Sequence, residues 1–414
     1  MLSTVHSNAE DKKGFSVVRQ QLYRNDQRFV LHGMMVPYLA ECPGKEEETI
    51  PATNRVADVG GNAVVFDLTG FTPDFRGLDP GKSKALNALA DTLNDTRMAL
   101  VLRIALPGDT KPQQVENAAK ALARSFSGNT RLIFWCEGPA AATLAKTLKE
   151  NLPQVVVMSV KGPDLYTITE EKNNPLGANQ VLIGKIPQQH PLKSNFILSG
   201  HDLDYFALDG ALKRPEEQQA YTPDLTLVSA EERAEGFFPL FNGKDLNNWW
   251  VLGENRQGFR VTRDGAIEWA AKGANALMSH QRFSDFVLRL EYKIEKDGNS
   301  GVYCRAPRDG RQSRIGFEVQ LRGDYGGRPD AQSTGAIYDV VAPRSVASKK
   351  PGEWNTLEIR CEGPRVQVWI NGKQVQDVNF EQHPKLRYRL RKGFIGLQDH
   401  NRYVAFRNIR IKPL

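Results

Sequence analysis

Hydrophobic positions follow two different rules along this chain. From Phe29 to Pro187, short and nearly continuous apolar runs recur: "FVLHGMM", "AVVFDLT", "ALVLRIAL", "RLIFWCEG", "QVVVMSV" and "QVLIGKIP". Between the middle ones lie "GKSKALNALADTLNDT", "PQQVENAAKALARSF" and "GPAAATLAKTLKENLP", with apolar residues at helical spacing. Strands that are apolar on both faces and separated by helices predict a parallel sheet of βα units. A complete eight-fold barrel takes about 250 residues, more than this region offers. The pattern therefore predicts an incomplete or trimmed β/α barrel, or an open doubly wound sheet, over residues 1–221.

Residues 222–236, "TPDLTLVSAEERAEG", follow neither period and read as a linker. Beyond Phe237 the helical period is gone. "FSDFVLRLEYKI" puts Phe286, Leu288, Leu290, Tyr292 and Ile294 on one face, and "RIGFEVQLRG" does the same with Ile315, Phe317, Val319 and Leu321. Asn371-Gly372 and Asp264-Gly265 are type I′ hairpin signals. Alternating strands joined by tight turns predict an all-β antiparallel sandwich over residues 237–414. Its last strand carries one irregularity. Val404 and Phe406 share a parity that Ile409 and Ile411 do not, so all four reach the core only if a β-bulge lies near Arg407-Asn408.

Composition adds little to the fold but narrows function. A chain of 414 residues, 40% hydrophobic and 25% charged, fits two or three soluble domains. No run approaches the ~20 apolar residues of a membrane span. The start "MLSTVHSNAEDKKG" has no signal-peptide core. An exported or periplasmic protein whose signal has been removed is favoured over a cytoplasmic one. Residues 1–235 hold 25 basic and 29 acidic side chains, and residues 236–414 hold 30 and 19. The second part is thus basic, yet no basic run with interleaved aromatics accompanies it, so nucleic acid is not the expected partner. Cys42, Cys136, Cys304 and Cys361 form no CxxC pair and read as buried thiols. "GLDPGKS" (Gly77–Ser83) has one residue too few between its glycines for a phosphate-binding loop and reads as a helix start.

Strand parity then sorts the polar residues. With Phe317 and Val319 inside, Glu318, Gln320 and Arg322 line the other face of their strand. With Val302 and Cys304 inside, Tyr303 and Arg305 point outward, and Gln398 and His400 end another strand. Carboxylate, amide, arginine, phenol and imidazole on one sheet suit sugar hydroxyls and acid–base work. Trp249, Trp250, Trp269 and Trp369 are stacking candidates for sugar rings, with core packing the simpler expectation.

The motifs "PLFNGKDLNNWW", "NSGVYCR", "GFEVQL", "STGAIYDVVAP", "KKPGEWNTLEIRCEGPRVQVWINGKQV" and "GFIGLQDHNRYVAFRNIRI" occur in order. Together they resemble the 3-keto-disaccharide hydrolase family across nearly all of Phe237–Leu414. The resemblance implies a concanavalin-A-like jelly roll that acts on glycosides oxidised at C3. It implies a carbohydrate partner, an oxidised glucoside or disaccharide. Asn299, Arg305, Glu318, Gln320, Tyr338, Gln398 and His400 fall in the matching motifs. On that footing Glu318 or His400 serves as base, Arg305 stabilises an oxyanion, and Tyr338 or His400 protonates the leaving group. Asn299, Gln320 and Gln398 bind substrate. No cofactor is certain. A divalent metal is allowed, although the acidic residue that often follows the Glu-x-Gln strand is delayed here to Asp324.

Two other functions compete: a non-catalytic carbohydrate-binding protein, and a conventional glycosidase in the first domain. The first-domain segments "NDQRFVLHGMM" and "VADVGGNAVVFDL" resemble the opening of barrel-type glycoside hydrolases. Glu137 ends the fourth strand there, with Asp209 as a candidate partner.

Overall fold

The computed structural model describes residues 14–19, 21–35, 46–160, 163–168, 180–183, 195–198, 212 and 221–414. The chain divides into two compact units, Met1–Leu212 and Lys213–Leu414.

In the first unit eight parallel strands close into a barrel. They are β1 (His32–Met35), β2 (Ala63–Asp67), β3 (Ala99–Ala105), β4 (Leu132–Glu137), β5 (Val156–Ser159), β6 (Leu165–Ile168), β7 (Gln180–Ile183) and β8 (Asn195–Leu198). The ring follows chain order and is sealed where β8 pairs with both β7 and β1. The strand ring is therefore complete, which corrects the expectation of an incomplete barrel. The hydrophobic pattern does not announce two of the strands, β6 and β8, because four-residue runs such as "LYTI" and "NFIL" carry too little period to register. Among the described residues, helices α1 (Glu46–Asp58), α2 (Pro80–Asp95), α3 (Pro112–Ser125) and α4 (Ala141–Asn151) follow the first four strands. The α2 start is the helix-start chemistry expected of "GLDPGKS": Asp79 caps it, its side chain accepting from the Lys82 N–H at 3.0 Å.

Alternate strand residues fill the barrel with Ala63, Val65, Ala99, Val101, Ile133, Trp135, Val156 and Met158. A preceding hairpin (Phe15–Val18 and Gln21–Arg24) adds Phe15 and Leu22 to the same cluster. Its Phe15 N–H donates to Thr130 O at 2.7 Å, just ahead of β4, so the hairpin stoppers the N-terminal end of the barrel.

The second unit is a two-sheet sandwich. Its strands are β9 (Phe238–Pro239), β10 (Trp249–Leu252), β11 (Phe259–Val261), β12 (Ile267–Trp269), β13 (Ala276–Phe283), β14 (Phe286–Ile294), β15 (Asn299–Ala306), β16 (Phe317–Arg322), β17 (Trp354–Glu362), β18 (Arg365–Ile370), β19 (Lys373–Asn379), β20 (Gly393–Gln398) and β21 (Val404–Pro413). One sheet runs β11-β12-β21-β14-β17-β18-β19, with β9 beside β21, and the other runs β10-β13-β20-β15-β16. The core between them includes Phe286, Leu288, Leu290, Tyr292, Val302, Cys304, Phe317 and Val319, the residues that period two selects.

The bulge expected in β21 is present. Arg289 faces Arg410 while Glu291 faces Arg407, Asn408 takes φ +51, and Val404, Phe406, Ile409 and Ile411 are all buried. Asn371 and Gly372 both have positive φ, as a type I′ turn needs. At Asp264-Gly265 only the glycine does, so that turn is of a different kind. Within 222–236, Ser229 caps the short α5 (Ala230–Ala234), whose Glu232 pairs with Arg289 and Arg410 of the sandwich. Cys136, Cys304 and Cys361 are free and buried, and Cys42 lies outside the described residues. Among the described residues no helix is long and apolar enough to cross a membrane.

Candidate functional site

The site forms on the outer face of the five-stranded sheet. β15 and β16 pair with Gly301 opposite Gln320 and Tyr303 opposite Glu318. Val302, Cys304, Phe317, Val319 and Leu321 point into the core, so Gly301, Tyr303, Glu318 and Gln320 share the other face. β20 adds Gly396 and Gln398 beside them. Two glycines permit the crowding. A Cβ on Gly301 would overlap the Glu318 carboxyl, and one on Gly396 would come within 2.6 Å of Met278 Sδ and 3.0 Å of Tyr303 Cδ2.

Glu318 is 1% exposed, and neither carboxyl oxygen has a hydrogen-bond partner among the described residues. Burial pushes its pKa up to about 8, against the opposing charges of Arg311 and Arg314. The neighbouring amides are held by one end only. Gln320 Nε2 donates to Asn299 Oδ1 at 2.8 Å, Gln398 Nε2 donates to the Tyr303 hydroxyl at 2.8 Å, and both Oε1 atoms are left without a hydrogen-bond partner. Tyr338 arrives from the loop after β16, its N–H donating to Glu318 O at 3.0 Å. Burial first and the Glu318 charge second raise its phenol pKa. Buried polar atoms are normally paired. A patch of unpaired acceptors is therefore suited to a ligand that brings donors, such as sugar hydroxyls.

Glu318, Gln320, Asn299, Tyr338 and Gln398 are thus brought together, and Arg305 is not. β15 carries a register shift between Tyr303 and Ala306, and Arg305 is the residue with positive φ, +50°. Ala306 takes the outer face in its place, packed with Trp250, Met278 and Phe394. The Arg305 guanidinium is fully buried, donating to Ser284 O (2.7 Å), Gly363 O (2.9 Å) and Asp285 (2.9 Å), where it ties two hairpin turns together. The outward position that simple alternation gives Arg305 fails because the bulge inserts a residue. The guanidinium charges that reach Glu318 come instead from Arg311 and Arg314, on or beside the one-turn helix α6 (Gln312–Ile315). Sequence reasoning passed over both, although "RDGRQSRIGFE" sets a basic cluster directly ahead of the glutamate strand.

His400 lies exposed in the turn after β20. Asp399 shapes that turn, accepting from Ala274 N at 3.2 Å and Asn401 N at 2.6 Å. Asp324 accepts from Thr334 N, Thr334 Oγ1 and Ser348 Oγ at 2.7–2.9 Å, so it is engaged in shaping its loop. Among the described residues no group of three or more His, Cys, Asp or Glu is placed to hold a metal ion. Trp249 sits in the core, and Trp250 packs on the outer face with its Nε1–H donating to Ser279 O.

In the barrel, Glu137 ends β4 and meets Arg103 of β3 at 3.3 Å. Arg103 also binds both oxygens of Asp67 on β2 and sits 5.6 Å from the Trp135 ring. Hydrogen bonding to Asp67 raises the guanidinium pKa further. One guanidinium thus bridges the Asp67 and Glu137 carboxylates. Asp209 lies outside the described residues.

Residues 236–412 match the family model described as the 3-keto-alpha-glucoside-1,2-lyase-like domain. A Bacteroides thetaiotaomicron protein named 3-keto-disaccharide hydrolase is 27% identical over 232 residues, covering 44% of this chain and 79% of that protein. Two solved Parabacteroides distasonis structures, each provisionally named a glycosyl hydrolase, are also similar. The first is 27% identical with a TM-score of 0.41, covering 45% of this chain and 98% of that one. The second is 29% identical with a TM-score of 0.37, covering 43% and 99%.

Proposed function

We propose that the sandwich unit is a carbohydrate-active hydrolase that cleaves 3-keto-glycosides on the outer face of its five-stranded sheet. The observation that carries this reading is the buried, unpartnered Glu318 carboxyl beside two phenols and two amide oxygens. The family match and the Bacteroides relative supply the substrate class.

A ketone at C3 acidifies the hydrogen on C2. Removal of that proton places negative charge on the C3 oxygen. Collapse of the enolate then breaks the C1–O bond, and the departing oxygen takes a proton. Water adds across the resulting C1–C2 double bond, restoring the C2 hydrogen, so the net change is hydrolysis. Glu318 is the C2 base, with a pKa near working pH, where general bases are most effective. Arg311 and Arg314, rather than Arg305, supply positive charge for the enolate. Tyr338 protonates the leaving group in this reading, with His400 as the other donor. Asn299, Gln320 and Gln398 hold the sugar hydroxyls.

The test is release of sugar from a 3-keto-glucoside, with and without chelator. Glu318→Gln should lower kcat/KM by about 10²–10⁴-fold, the usual scale of acid–base catalysis. Unchanged turnover would refute the assignment. Cleavage of an unoxidised glycoside that vanishes in Glu137→Gln would instead place the activity in the barrel.

A further inference from the structure

The other sheet of the sandwich carries a cavity of about 310 Å³ on its outer side, lined by Arg289, Glu291, Thr356, Glu358, Trp369 and Arg410 among others. Register lays four of these in one row across neighbouring strands: Arg410 opposite Arg289, Arg289 opposite Glu358, and Glu358 opposite Trp369. The row is fixed before any ligand arrives. Arg289 donates to Glu358 at 2.7 Å and to Glu232 at 3.1 Å, Arg410 donates to Glu232 at 2.8 Å, and the Phe237 ring lies 4.3 Å from the Arg289 guanidinium. Trp369 is only half-buried, unlike Trp249 and Trp250, which are packed away.

We propose that this cavity is a second carbohydrate site, binding a neutral hexopyranose unit of a glycan through Trp369. An indole face accepts the C–H face of a pyranose ring, and the adjoining carboxylate and guanidinium groups bridge vicinal hydroxyls. A neutral ligand suits this lining, because its charges are already matched: Arg289 and Arg410 pair with Glu232, Arg289 also pairs with Glu358, and Glu291 pairs with Arg407. A charged ligand would leave one pair uncompensated. The site lies on a different sheet from Glu318, so it holds substrate-bearing glycan without taking part in bond cleavage.

The experiment is calorimetric titration of the full-length protein with maltohexaose, cellohexaose and laminarihexaose. Thermal unfolding of every variant checks that it is folded. At least one hexaose should bind. Trp369→Ala should weaken it about tenfold or more, the scale of a lost aromatic contact. Thr356→Arg, which fills the cavity from an exposed position without removing packing, should do the same, and Glu318→Gln should bind normally. Binding equal to wild type in both cavity variants, loss only in Glu318→Gln, or no binding of any hexaose at millimolar concentration would each overturn the proposal. Trp369→Ala should leave cleavage of a small 3-keto-glucoside unchanged, which separates failure of this site from failure of the catalytic reading.

Discussion

In the proposed reaction one proton, that of Glu318, links catalysis to stability. Its pKa rises from the ordinary carboxyl value of 4.5 to about 8, because burial disfavours the anion. Between those values the folded protein holds a proton that the unfolded chain has lost, so stability falls as pH rises toward 8 and levels off above it. Glu318→Gln removes the titration. Its melting temperature should exceed that of wild type at pH 9 and match it at pH 5; an equal offset at both pH values would show that the carboxyl does not titrate as described. The ionised base accumulates over the same interval, so kcat/KM of wild type should climb through about pH 8. Arg311→Gln removes a charge that favours the carboxylate, and the rising limb should move to higher pH. A limb that stays in place would remove Arg311 from the site. Alternation alone placed Glu318, Gln320 and Tyr303 on one face. It could not place Arg305, because a bulge is set by backbone geometry that period two does not encode.

At the scale of elements, the fit between β15 and β16 depends on a missing side chain. Gly301→Ala would drive a methyl into the Glu318 carboxyl, so activity should fall sharply even where the sandwich still folds. Wild-type kcat/KM in that variant would mean the carboxyl does not rest over β15. In the other unit, Asp79→Ala should cost about 1 kcal/mol, the usual worth of an N-cap, read by denaturant unfolding and without effect on 3-keto-glucoside cleavage. These elements differ in how plainly the chain announces them. The bulge in β21 and the Asp79 cap were readable because each follows from a local conflict of parity or an N-cap residue before a helical run. β6 and β8 were not. Their pairing comes from ring closure, a long-range condition that four residues cannot express. The basic cluster holding Arg311 and Arg314 is legible just ahead of the glutamate strand, but its nearness to Glu318 depends on how α6 packs against β16.

At the scale of the whole molecule, each unit carries its own core, one inside the barrel and one between the two sheets. Independent cores favour independent folding, so Lys213–Leu414 expressed alone should fold and retain 3-keto-glucoside cleavage. An insoluble or inactive product would show that the sandwich needs the barrel. The proposed reaction turns on one event, removal of the C2 proton by Glu318. That event is visible directly by ¹H NMR in D₂O as exchange of the C2 hydrogen of a 3-keto-glucoside. Wild type should accelerate the exchange far above the buffer rate, and folded Glu318→Gln should return it to that rate. Equal exchange by both proteins would contradict the assignment of Glu318 as the base.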